Sequence, residues 1–211
     1  MPKGSKARTD ARKEEIVNAC RALYKSMGFR DITLRDIGEK TSFTRTSIYN
    51  YFQTKEEIFL ALLQQEHEAW TADLESILET CACPSAAEFS LALARTLEPR
   101  SCMLKLMSMN LYDMEANSRL ENLVAFKLAY AGAKDAVTRC LQKFFPLMTE
   151  ADIRGFLYAF FPFLFGVYPY TTATEKQRKA MERAGVEIVP YSVCEITSAL
   201  AAKLLKGFER R

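Results

Sequence analysis

Histidine is nearly missing: the 211 residues contain one, His67, and a single tryptophan, Trp70. The chain therefore has no His-Glu-x-x-His pair, and it carries no glycine-rich phosphate loop or nucleophile motif either. His67 stands between Glu66 and Glu68 with no recognisable partner motif, so it reads as a surface or inter-domain residue. No catalytic set and no cofactor are expected, and the reading is of a non-enzyme. Period-two alternation is almost absent, which removes sheet architectures. Met1–Arg30 is polar and basic and holds no apolar h-region, so no secretory leader is read there and a cytoplasmic location is expected. The longest uncharged run, 155–170, is shorter than the roughly 20 residues a membrane helix needs, and Pro162 interrupts it. The six cysteines (Cys20, Cys81, Cys83, Cys102, Cys140, Cys194) are scattered. Cys81-x-Cys83 is the one close pair, and with no second ligand pair nearby no metal site is assigned.

What is present is apolar and helical. Hydrophobic residues make up 49% of the chain, enough for a substantial core. Charge is unevenly spread. Residues 1–55 carry twelve Lys/Arg against six Asp/Glu, whereas the remainder is mildly acidic. A basic head on an acidic body suits a nucleic-acid reader with a separate regulatory part.

Ile16, Cys20, Leu23, Tyr24 and Met27 recur at three- and four-residue spacing, which predicts a first helix over 10–27 ended by Gly28 at positive φ. Further helix starts carry the Ser/Thr-x-x-acid pattern, in which two side chains satisfy orphan amides reciprocally. These are Thr33…Asp36, Thr54…Glu57, Ser85…Glu88, Ser118…Glu121, Thr149…Asp152 and Ser192…Glu195. Pro84, Pro99, Pro146, Pro169 and Pro190 mark boundaries. Residues 155–170 read as a helix buried on most of its surface, kinked by Pro162, with its own domain on one side and a second subunit on the other.

The stretch Thr33–Lys55 carries the function. In its first short helix Leu34, Ile37 and Gly38 face inward, Thr41-Ser42 form the turn, and Phe43 anchors the corner. Thr44 caps the second helix, where Ile48 and Phe52 share an inward face. Arg45, Thr46, Tyr49 and Asn50 must then point outward, as a helix entering a DNA major groove requires. An ordinary helical hairpin with a solvated outer face is the plain alternative. A helical adaptor that docks protein on an aromatic patch leaves the basic head unexplained.

The first seventy residues also resemble the DNA-binding domain of TetR-family transcriptional regulators. The resemblance rests on Met27-Gly28-Phe29, Thr33-Leu34-Arg35-Asp36-Ile37, Ser47-Ile48-Tyr49-Asn50-Tyr51-Phe52 and Lys55-Glu56-Glu57-Ile58, in that order. It implies an all-α chain: a flexible basic terminus over 1–9, a three-helix DNA-binding domain with a helix-turn-helix over 10–70, and a larger helical ligand-binding and dimerisation domain over 71–211. It implies that Arg45, Thr46, Ser47 and Tyr49 touch bases or nearby backbone, and that Tyr51 and Lys55 hold phosphates with Thr33 and Arg35 on the flanks. Three residues depart from the family pattern. Ser42 stands where a turn glycine is usual, Phe43 where a small aliphatic is common, and Asn50 where histidine is frequent. Serine takes positive φ less readily than glycine, so the turn is expected to differ locally.

For the body, the resemblance implies a homodimer, paired through about 149–168 and 192–208, that binds a palindromic operator as a repressor. An effector would release it from DNA. Met103, Met107, Phe126, Tyr130, Phe156 and Phe160 suit an apolar pocket for a small apolar or aromatic effector, although each also suits a core or dimer interface.

Overall fold

The computed structural model describes residues 3–82, 84–109, 111–187, 191–206 and 208, with side chains for all of these except 3–5 and 45. Cys83 and Pro190 lie outside the described residues. Among the described residues there is no strand. The helices are α1 (Lys3–Tyr24), α2 (Leu34–Glu39), α3 (Arg45–Ile48), α4 (Lys55–Thr80), α5 (Ala86–Leu97), α6 (Ser101–Met107), α7 (Leu111–Ala116), α8 (Leu120–Phe144), α9 (Glu150–Thr171), α10 (Glu175–Arg183) and α11 (Val193–Leu205). A 3-10 turn, Glu98–Arg100, carries Pro99 between α5 and α6.

These elements form two compact units, Met1–His67 with Asn110–Tyr130, and Glu68–Met109 with Ala131–Arg211. The division is not linear along the chain: residues 110–130, assigned by sequence to the body, go with the first unit. In that unit the apolar stripe of α1 (Ile16, Val17, Cys20, Tyr24) is buried, as are Ile37, Ile48, Phe52 and the Ile58, Phe59, Leu62, Leu63 face of α4. Tyr24 and Phe29 both meet the Phe59 ring edge-on, at centroid distances of 5.2 and 4.7 Å.

The second unit centres on Trp70, Phe89, Phe145 and Phe160, all fully buried. α11 packs on α5 and α9, and α6 packs on α9. The Trp70 indole N–H donates to Thr96 Oγ1 at 2.8 Å. Thr96→Val is expected to strand that buried donor and cost about 1–3 kcal/mol, read as a lower denaturation midpoint at unchanged m-value. An unchanged midpoint would show that water satisfies the indole.

Several helix starts fold as their sequences predict. Thr33/Asp36, Ser85/Glu88, Thr149/Asp152 and Ser192/Glu195 all close reciprocal capping boxes, and Thr174/Gln177 adds one that was not anticipated. Two expected boxes do not close, each because a side chain is engaged elsewhere. Thr54 Oγ1 accepts the Glu57 amide at 3.2 Å, but the Glu57 carboxylate turns to the Gln53 amide and to Arg119. Ser118 donates to the Met114 carbonyl instead of starting a helix.

Other expectations are corrected. The first helix, expected over 10–27, runs as α1 from Lys3 to Tyr24. Gly28 is not left-handed, and among described residues only Gly185 has positive φ, at 67°, closing α10. Gly28 is instead a close-approach site: its N–H donates to Asp31 Oδ2, and a Cβ there would lie 2.8 Å from that oxygen. Pro169 sits in the last turn of α9 and does not bound it. His67 is buried, 1% exposed, since it shares the inward face of α4 with Leu63 and Trp70 despite its acidic neighbours. No helix among the described residues is long and apolar enough to cross a membrane.

Candidate nucleic-acid interface

α2 and α3 are short, six and four residues, and make few internal hydrogen bonds. Such elements hold their place only through neighbours. Ile37 and Gly38 bury α2, while Ile48 and Phe52 bury the inner side of α3 and the turn after it. Leu34 is only half-buried.

The opposite side is open. Thr44, Thr46 and Asn50 are exposed, Tyr49 is 46% exposed, and Ser47 is half-buried. The Arg45 side chain lies outside the described residues. Thr44 occupies the N-cap position of α3 without a capping bond, and its hydroxyl lies 3.2 Å from that of Ser47. Both hydroxyls therefore face out together at the start of the helix. The turn before α3 is made without a left-handed residue. Thr41 Oγ1 donates within 2.9 Å of the Gly38 carbonyl and 3.0 Å of the Phe43 carbonyl, tying the corner together.

The expected flanking residues are placed unequally. Thr33 is exposed, but its hydroxyl and amide are both committed to Asp36, which holds that carboxyl below its ordinary value. Arg35 is exposed and pairs with Glu39 at 2.9 Å, an i,i+4 pair of small energetic weight. Tyr51 is half-buried, its ring 6.2 Å from Phe43. Lys55 is half-buried: its ammonium donates to the Phe29 carbonyl at 2.8 Å and lies over the Phe29 ring. It pins the start of α4 to the loop after α1.

One group that sequence reasoning missed dominates the underside of this region. Glu57, fully buried, accepts from the Arg119 amide at 3.0 Å, from Arg119 Nε at 2.7 Å and Nη2 at 2.9 Å, and from the Gln53 amide at 2.7 Å. Arg119 Nη2 also reaches the Tyr51 carbonyl at 3.1 Å, and Thr54 Oγ1 donates to the Asn117 carbonyl. Burial alone would raise the Glu57 carboxyl. The Arg119 side chain and the two amides outweigh it and hold the group below its ordinary value. A Glu at the third position of a helix normally reads as half of a capping box, and nothing local pointed to an arginine 62 residues away.

The six expected pocket residues are not all in one unit. Met103 and Met107 on α6 and Phe156 and Phe160 on α9 are buried in the second unit. Phe126 and Tyr130 belong to the first, where both rings stand edge-on to His67 at 5.8 and 5.7 Å. Burial lowers the His67 pKa, so this imidazole is favoured neutral. Among the described residues no group of His, Cys, Asp or Glu is placed to hold a metal ion.

Two family models match this chain. Residues 16–62 match the model described as bacterial regulatory proteins, tetR family, and residues 64–211 match the tetracyclin repressor-like C-terminal domain. The chain belongs to the TetR family. Its members are helix-turn-helix transcriptional regulators that bind DNA, and this chain is one of them. An uncharacterized regulator of Bacillus subtilis, YfiR, is 30% identical over 91 residues, 37% of this chain and 44% of its own length. RutR of Escherichia coli is 32% identical over 77 residues, 36% of each chain. The chain thus matches less than half the length of these curated relatives. The crystal structure of FadR from Bacillus subtilis in complex with stearoyl-CoA shares the fold at TM-score 0.59 and 14% identity, over 93% of this chain and 99% of that one.

Proposed function

We propose that this TetR-family regulator is a cytoplasmic homodimeric repressor that reads a palindromic operator through α3 and is released by a small apolar effector. The observation that carries the DNA reading is the open side of the helix-turn-helix. Thr44, Thr46, Tyr49 and Asn50 stand exposed on an element whose other side is fully packed. Thr46, Ser47, Tyr49 and Asn50 suit base edges and nearby backbone, together with Arg45 from the same helix. Thr33, Arg35, Tyr51 and Lys55 suit flanking phosphates.

A dimer is supported by α9. α9 exposes Ala151, Gly155, Tyr158, Ala159, Pro162, Pro169 and Tyr170, mostly small and aromatic residues, along with the charged pair Glu150 and Arg154 near its start, while Ile153, Phe156, Leu157, Phe160, Phe161, Leu164 and Val167 are buried. An effector is supported by the methionines and phenylalanines that α6 and α9 bring together. The stearoyl-CoA bound to FadR agrees with an apolar ligand there.

Selection of duplexes from a randomised pool with the full-length protein tests this reading. An inverted repeat should emerge, with half-sites about one helical turn apart. Its affinity should fall with salt by about 0.9 log unit per log unit for each phosphate contact. Asn50→Ala should relax sequence preference. Lys55→Ala should weaken selected and random duplexes alike, roughly tenfold or less, through a lost phosphate contact, with an unchanged melting point showing that the lost bond to the Phe29 carbonyl is not the cause. Recovery of no enriched sequence would defeat the reading.

A further inference from the structure

The turn between α2 and α3 is held from outside its own motif. We infer that Arg12 and Glu15 of α1 are positioning residues for the recognition helix, setting the angle at which α3 enters the groove; this rests on the DNA reading above.

Three interactions converge on Ser42 and Phe43. Glu15 Oε1 accepts the Ser42 N–H at 2.5 Å. Arg12 Nη1 donates to Ser42 Oγ at 2.7 Å, and the Arg12 guanidinium lies over the Phe43 ring at 4.6 Å from its centroid. Arg12 and Glu15 also bond each other at 3.4 Å, being neighbours one turn apart on a single side of α1. A 22-residue helix anchored by Ile16, Val17 and Cys20 thereby grips the corner from which α3 departs.

α3 needs such a grip. It has four residues, its N-cap threonine makes no capping bond, and no left-handed residue locks the turn before it. Ile48 and Phe52 fix its far end. The near end, with Thr44 and Thr46, is fixed through Ser42 and Phe43. The brace also accounts for a carboxylate that electrostatics would disfavour. Glu15 adds negative charge beside a surface read as meeting phosphates, and its bonds from the Ser42 amide and hydroxyl keep its carboxyl below its ordinary value, hence charged.

The two accounts of Glu15 predict opposite signs. If Glu15 is only a charge, its removal should tighten binding to every duplex. If it positions α3, Glu15→Ala should weaken the selected duplex by roughly tenfold, the scale of one lost charge-assisted hydrogen bond, while random duplex binding holds or tightens. Glu15→Gln keeps an oxygen that can accept the Ser42 N–H, so it should retain most of the preference. Ser42→Ala, which keeps the amide bond to Glu15 and loses the hydroxyl's contacts with Arg12 and Glu15, should fall between. Thermal melting of each full-length variant checks that α1 still folds. Equal tightening of both duplexes by Glu15→Ala and Glu15→Gln would overturn the inference. A wild-type protein that shows no preference for the selected duplex would instead overturn the DNA reading, a result visible before any variant is made.

Discussion

Replacing Arg119 by alanine is expected to cost about 3 kcal/mol, the usual penalty for orphaning a buried charge. For a chain of this size that corresponds to a melting point lower by roughly 6–12 °C. The cost comes chiefly from Glu57, which is fully buried and would lose two of its four donors, Arg119 Nε and Nη2, keeping only the backbone amides of residue 119 and Gln53. Arg119 itself is partly solvated, with 34% of its side chain exposed, so its own release into water regains little and costs little. If the deficit is an orphaned carboxylate, adding Glu57→Gln to Arg119→Ala should recover part of the loss, because a neutral amide is cheaper to bury. Additive losses in the double variant would contradict this.

The acid dependence follows from the same bond. Glu57 is held below its ordinary value of about 4.5, so its contribution is fully present above that pH and fades as pH falls through the lower folded value. The gap between wild type and Arg119→Ala should therefore be wide at neutral pH and shrink progressively as pH falls below about 4.5. A DNA effect should accompany the stability effect, since Arg119 also holds the Tyr51 carbonyl at the end of the recognition segment. At a temperature where both proteins are folded, the variant should bind the selected duplex more weakly.

This node explains why the sequence was informative about one part of the fold and silent about another. The inward residues Ile37, Ile48 and Phe52 and the outward Thr46, Tyr49 and Asn50 follow from helical spacing, a local rule that needs no knowledge of distant chain. The Thr33/Asp36, Ser85/Glu88, Thr149/Asp152 and Ser192/Glu195 boxes are local in the same way. Glu57 obeyed the same local pattern, yet its carboxylate left Thr54 for an arginine contributed by residues 110–130. Long-range pairings of this kind have no period and no spacing rule. The surface reading of His67 failed for a related reason: Glu66 and Glu68 made its surroundings look polar, but Glu66 is itself buried against Arg21, whose Nη1 donates to it at 2.5 Å. The Ser42 turn was legible as a departure from the family, but the cure for that departure lay on α1.

A second large effect is expected at Gly155. A glycine inside a helix costs roughly 1 kcal/mol relative to alanine, a cost that a close contact at the glycine would offset, and Gly155 lies in the second turn of α9. Within the protomer there is none: Gly155 is exposed, and a Cβ built on it would meet nothing within 4 Å. Gly166, on the same helix, is equally unobstructed. A reason exists if a second α9 approaches closely, for which an absent side chain is what helix packing at short distance requires. Gly155→Arg should then leave the protomer folded, or slightly firmer, and abolish the dimer by placing a bulky charge in its interface. Sedimentation equilibrium at micromolar concentration should show monomer for Gly155→Arg and dimer for wild type. Because a lone protomer offers one recognition helix to a two-part site, operator affinity should fall by orders of magnitude while random duplex binding changes little. Gly155→Ala gives the finer reading: it gains helix propensity in the protomer, so any loss of dimer affinity must arise from one methyl group at the contact. A dimer of Gly155→Arg as tight as wild type would remove this side of α9 from the interface.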